Sequence, residues 1–148
     1  SNPCSPMLRP SLDPRQLQVG QALPEHGQTF TEVDLVAYGA ATWDWHRLHY
    51  DQAHAKAKQL PGLLIDGQAF GAVFAREAMR WAGPQAFLAR MGLKMKSMAF
   101  AGDHLVARGQ VMAIDAPAGH WVVHIDQQLM CGERLVAQAL SEIRMGKA

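Results

Sequence analysis

Residues Asp66 to Ala82 read DGQAFGAVFAREAMRWA, and their reading decides the fold. From Gln68 onward, Phe70, Val73, Phe74 and Trp81 fall on one side of a helical repeat of about 3.6 residues. Gly71, Ala72, Ala75, Ala78 and Ala82 keep the other sides thin. A helix this small and this apolar most of the way round is expected to be buried, with something packed closely against it. Gly83-Pro84 ends it.

Beyond Pro84 the chain changes character. Leu93 to Phe100, His104 to Ile114, His120 to Met130 and Arg134 to Met145 read as strands separated by short turns. The last alternates cleanly, with Leu135, Ala137, Ala139, Ser141 and Ile143 on one face. On the third, Trp121, Val123 and Ile125 share a face. These runs are expected to form an antiparallel meander. Gln85 to Met91 is expected to add a short helix before them.

Upstream, residues 1–16 carry four prolines without periodicity and read as an irregular arm, leaving 17–148 as a single domain. Gly27 to Phe30 suits a short strand. Thr31 is placed to cap a helix reaching Ala41, with Glu32 and Asp34 in its first turn and Val33, Val36, Ala37 and Ala40 as its apolar face. Asp51 can cap a further short helix, which Pro61-Gly62 stops. One strand, several helices and about four antiparallel strands imply an α+β architecture, an antiparallel β-sheet wrapped around the long central helix.

At 148 residues the chain can bury a core without disulfides or metals. Its 49% apolar and 18% charged composition is that of a globular protein. A net charge of +1 with no basic stripe argues against nucleic acid as a partner. Cys4 and Cys131 form neither a disulfide framework nor a metal pattern. No apolar run reaches membrane-spanning length and no signal-peptide pattern is seen, so no membrane association and a cytoplasmic location are expected.

The chemistry is concentrated in the run ATWDWHRLHYD, residues 41–51, where acids and imidazoles lie among three aromatic rings. Asp44 and His49 can be aimed at one water by a tight turn, and an imidazole titrates near neutrality. Asp44 can equally cap a local turn. Trp43, Trp45 and Tyr50 are expected to pack. His46, His49, Asp51 and His54 invite comparison with metal ligands, but no distant residue completes such a set, and no metal or cofactor is expected. Gly67 and Gln68 open the buried helix, so their backbone N–H groups lie at the positive end of its dipole, where an oxyanion is favoured. Arg47, Arg90, Lys94 and Lys96 are the cations available for phosphates.

The same run, followed by PGLLIDG (61–67) and a long helix, resembles the MaoC-like hydratase/dehydratase family of hot-dog proteins. VGQALPEHGQTFTEVDLVAYGAAT (19–42) resembles the family's lead-in. The family motif runs Asp, any residue, Asn, Pro, an aliphatic residue, His, then Asp two residues later. Asp44, Leu48, His49 and Asp51 fall on those positions. His46-Arg47 stands where the family has Asn-Pro, and Asp66-Gly67 where it has His-Gly. Together with WAGP (81–84), the run is most similar to the branch acting on bulky, steroid-derived acyl-CoA thioesters.

The resemblance implies a hot-dog fold and reversible addition of water to a trans-2-enoyl-CoA. Asp44 and His49 would be the catalytic pair, with Gly67, Gln68, Asp66 and His46 at the oxyanion and substrate site. A single wrapped sheet leaves edges that dimers usually cover, so a homodimer or higher homo-oligomer is expected, or, given the departures from the motif, a heteromer with a homologous subunit. A hot-dog acyl-CoA thioesterase and a non-catalytic partner subunit are the rival readings.

Overall fold

The computed structural model describes residues 12–148. Cys4 and most of the N-terminal arm lie outside the described residues. Where the arm enters, Pro14–Gln16 makes a single 3-10 turn, and Leu12 N–H donates to the Ala82 carbonyl at 3.0 Å.

Five strands form one antiparallel sheet in the order β1-β3-β4-β5-β2, with β1 Ala22–Thr29, β2 Phe87–Met95, β3 His104–Asp115, β4 His120–Cys131 and β5 Arg134–Lys147. Among the described residues three α-helices accompany the sheet: α1 Glu32–Thr42, α2 Gln52–Ala57 and α3 Gly67–Ala82. The sheet lies around α3, which touches β1, β2, β3 and β5. This is the expected α+β hot-dog architecture.

The core along α3 falls into two halves. Ala69, Phe70, Val73 and Phe74 pack with Leu105, Leu129 and Val136, while Ala78 and Ala82 pack with Val111, Val123, Ile125 and Ile143. Burying one side chain the size of Phe74 is worth about 1.5–3 kcal/mol. Among the buried polar groups are Gln127 and Ser141. Gln127 Nε2 donates to the Phe74 carbonyl at 3.0 Å, tying the middle of the helix to β4. Trp81, expected to share the buried face, is only half-buried.

Three expectations need correction. The meander is confined to β3, β4 and β5. The segment Gln85 to Met91, read as a short helix, enters β2, which starts at Phe87 and ends at Met95 rather than running from Leu93 to Phe100. Its partner is β5, from Phe87 opposite Arg144 to Met95 opposite Ala137. The helix-favouring residues Ala89, Arg90 and Met91 are overridden because β5 offers a ladder of backbone bonds, and such context outweighs local propensity. The first strand is also longer than Gly27 to Phe30 suggested. It passes through Pro24, which lacks a donor and sits where the register to β3 shifts, between Leu23 and His26.

The third correction concerns α1. Its cap forms as expected: Asp34 N–H donates to Thr31 Oγ1 at 3.1 Å, and Thr31 N–H donates to Asp34 Oδ2 at 2.8 Å. The buried face is not the expected one. Val33, Val36, Ala37 and Ala40 are not buried, whereas Leu35 and Gly39 are buried and Tyr38 half-buried. Both faces repeat at helical spacing, so hydrophobicity does not separate them. Gly39 does. A Cβ there would lie 2.9 Å from the Asp44 carbonyl oxygen, so only this side lets the next turn close against the helix.

Gly39→Ala is therefore expected to cost about 1–3 kcal/mol, the range for overfilling a tight contact. Urea denaturation of the variant against the wild-type chain measures this. An unchanged midpoint would show that the Asp44 turn is not held by this approach.

Candidate active site

The turn after α1 is set by its backbone. Trp43 closes the helix in the left-handed region, at φ 58°. That reversal puts the Trp43 ring outward, 84% exposed. Trp45 and Tyr50 are exposed as well, stacked edge-on with ring centres 6.1 Å apart. Trp43 is thus not the packing group expected from sequence, while Trp45 and Tyr50 pack on each other at the surface.

His46 caps the single turn Arg47–His49, its Nδ1 accepting from Leu48 N–H at 3.3 Å. It is exposed, with its ring centre 5.7 Å from that of His49. Asp51 caps α2 by accepting from His54 N–H at 3.0 Å, and its other oxygen holds Arg47 at 2.8 Å. His46, Arg47, Asp51 and His54 therefore shape the turn, and His46, His49, Asp51 and His54 are not brought together as a metal set among the described residues.

His49 points inward. Its Nδ1 lies 2.6 Å from the Leu64 carbonyl oxygen. A carbonyl only accepts, so Nδ1 carries the proton and Nε2 of the neutral ring is left with a free lone pair. Nε2 faces Asp44 Oδ2 at 3.9 Å, too long for a direct hydrogen bond. Asp44 also accepts from His46 N–H at 3.3 Å through Oδ1, so the turn-capping role and the inward-facing role coexist in one carboxylate.

The third acid comes from the start of α3. Asp66 caps the helix, accepting from Gln68 N–H at 2.9 Å through Oδ1. Asp66 is only 9% exposed, and its Oδ2 is buried with no donor facing it. Its polar neighbour is the Asp44 carboxylate. Burial, and then the bond with Asp44, push the Asp66 carboxyl above its usual range, while that same bond and the His46 N–H hold Asp44 below it. Two adjoining carboxylates oppose each other's ionisation in this way, and Asp66 is the harder of the two to ionise. Leu35, Tyr38, Gly39, Asp44, His49 and Asp66 line one small cavity. Burial raises the Tyr38 phenol, with Asp66 and Asp44 adding to the effect.

The structure thus brings Asp44, His49 and Asp66 together. Gly67 and Gln68 begin α3 beside them, but the Gln68 N–H is spent on Asp66 and is not free for an oxyanion. Gly67 is pressed by another residue: a Cβ there would lie 1.9 Å from Met95 Sδ, so the thioether occupies the space that the missing side chain leaves. Sequence reasoning missed Tyr38, Met95 and the Leu64 carbonyl. Tyr38 was legible from its spacing to Leu35. A backbone carbonyl, or a contact between residues as far apart as Gly67 and Met95, carries no local signal.

The model of the MaoC like domain matches residues 16–127. The chain belongs to that family. It is similar to a mitochondrial 3-hydroxyacyl-[acyl-carrier-protein] dehydratase of Arabidopsis thaliana, with 26% identity over 107 residues, covering 72% of this chain and 63% of that one. It is also similar to the beta subunit of the 3-oxo-4,17-pregnadiene-20-carboxyl-CoA hydratase of Mycobacterium tuberculosis, with 27% identity over 97 residues, 66% of this chain and 75% of that one. The chain thus spans less than two thirds of the plant relative's length. Among solved structures, an (R)-hydratase of A. caviae involved in PHA biosynthesis superimposes with a TM-score of 0.81 at 19% identity, covering 89% of this chain and 99% of that one. Family membership supports hydratase/dehydratase chemistry at that general level.

The protonation of the acid pair gives a pH test. A carboxyl raised in the fold favours the folded state fully below its unfolded value, and that contribution is lost as pH rises through the folded value. Asp66 therefore works against stability above the usual carboxylate range, whereas Asp44, shifted down, loses its contribution only below it. Asp66→Asn keeps a helix-capping side chain. In metal-free buffer its Tm relative to the wild type is expected to rise as the pH climbs above the ordinary aspartate value of about 4. A pH-independent difference would show that Asp66 is not shifted upward.

Proposed function

We propose that this chain is an enoyl-CoA hydratase, equally a 3-hydroxyacyl-CoA dehydratase, in which Asp44 and His49 act on one water. The observation that carries the reading is the 3.9 Å separation between Asp44 Oδ2 and the bare Nε2 of His49. That gap leaves both groups to a molecule lying between them. The two acceptors orient the water. As its oxygen bonds to the β-carbon, Nε2 takes its proton, and the double-bond electrons move onto the thioester oxygen. The proton on Nε2 then passes to the α-carbon as the enolate collapses, so water is added and no proton is left over.

Each neighbour supports a step. The Asp44 charge stabilises the imidazolium, and the Leu64 carbonyl fixes the ring's tautomer and angle. Asp66, raised above the usual carboxylate range by burial, resists placing a second negative charge beside the enolate. The Gly67 N–H, at the positive end of α3, is the oxyanion donor in this scheme, with Met95 moving aside to admit the thioester.

The assembly is proposed to be a dimer or larger, either of this chain alone or with a homologous subunit. The sheet has two open edges, and exposed Phe87 and Met95 lie on one of them.

A panel of enoyl-CoA thioesters, followed at the enoyl chromophore, tests the reading. Asp44→Asn and His49→Ala are each expected to lower kcat by about 10²- to 10⁴-fold, the usual contribution of a positioned acid or base. Release of free CoA without hydration would replace the reading with a thioesterase. Turnover appearing only beside a homologous chain would make this protein one half of a heteromeric enzyme.

A further inference from the structure

Asp44, His49 and Asp66 converge on one small cavity. One donor atom from each lies within 4.8 Å of the other two. Asp66 Oδ2 is buried with nothing donating to it. His49 offers a lone pair at Nε2 because its Nδ1 is tied to the Leu64 carbonyl, and Asp66 is held from the other side by the Gln68 N–H. A metal-ligating imidazole and carboxylate are characteristically anchored in this way.

We propose that these three residues form a Zn²⁺ site, and that occupying it switches the protein off. The donor set is one imidazole nitrogen and two carboxylate oxygens, which suits Zn²⁺ better than Mg²⁺ or Ca²⁺. The cavity is too small for the six to eight oxygens that Ca²⁺ gathers. Any proton held by Asp66 is released to solvent as the cation binds, and two carboxylates with a neutral ring then balance its charge. Donors about 2.0–2.2 Å from zinc in a tetrahedron lie roughly 3.5 Å apart, so the cluster must contract slightly. Asp44 can supply that movement. Its side chain is 37% exposed on a turn, whereas that of His49 is 14% exposed and anchored. Tyr38 and Gly39 line the same cavity, and the three side chains leave the fourth zinc position to a water.

Binding follows from this geometry alone. Inhibition rests on the hydratase reading, because the cation takes the lone pair and the carboxylate that would handle the proton.

The test is calorimetric titration of the EDTA-stripped full chain with ZnCl₂. One Zn²⁺ per chain is expected, at micromolar Kd or tighter. Asp66→Asn and His49→Ala should each weaken it at least tenfold, with their folding checked by circular dichroism. His124→Ala is the control, since His124 lies near Asp115 and Glu142 on the surface. In the enoyl-CoA assay, activity should fall over the same Zn²⁺ range and return with EDTA. Absence of binding, an affinity unchanged by Asp66→Asn, or a loss on His124→Ala instead would overturn the site. The titration decides the metal site even if no hydratase activity exists, and activity without Zn²⁺ binding would leave the hydratase reading standing.

Discussion

Three consecutive residues, Leu63 to Ile65, hold the chemical half of the molecule together. The Leu64 carbonyl takes the His49 Nδ1–H, and the Leu64 N–H donates to the Leu48 carbonyl at 2.9 Å. On the other side, Ile65 N–H donates to the Ala99 carbonyl and Ala101 N–H to the Leu63 carbonyl, both at 2.9 Å. The next residue, Asp66, starts α3. One short strap therefore sets the imidazole's tautomer, fixes the turn from α1 and aims the helix. The strap is itself anchored by Leu63 and Ile65, both buried.

With the strap in place the electrostatics are simple. Two carboxylates and an imidazole enclose a small space, and burial lets only one acid ionise easily. Asp66, deeper and already committed to capping, is the harder to ionise. Asp44, on an exposed turn and supported by a backbone N–H, is the easier. Position in the fold, rather than residue type, sets the two aspartates apart.

Sequence periodicity made α3, β4 and β5 legible because each is buried on a regular face: Phe70, Val73 and Phe74 on the helix, Val123 and Ile125 on β4. It did not separate the two faces of α1, since Leu35 and Val36 are equally apolar and the choice lies in a backbone approach at Gly39. It caught only the end of β2, from Leu93 to Met95, because the residues before it favour a strand only when β5 is there to pair. At the site, Asp44 and His49 were legible from their spacing and the family resemblance. Gln68 was assigned a free N–H that the cap of Asp66 consumes. The Leu64 carbonyl was invisible because every residue carries one.

The division of the core into two halves along α3 has a consequence for how the chain tolerates change. Phe70 and Phe74 sit in the half that carries the cavity, while Ala78 and Ala82 sit in the other. Few side chains belong to both, so alterations at the two ends combine nearly independently. The far half can be repacked, swapped between sequences or stiffened while the angle between His49 and Asp44 is preserved. Divergence can accumulate at one end of a single helix without reaching the other.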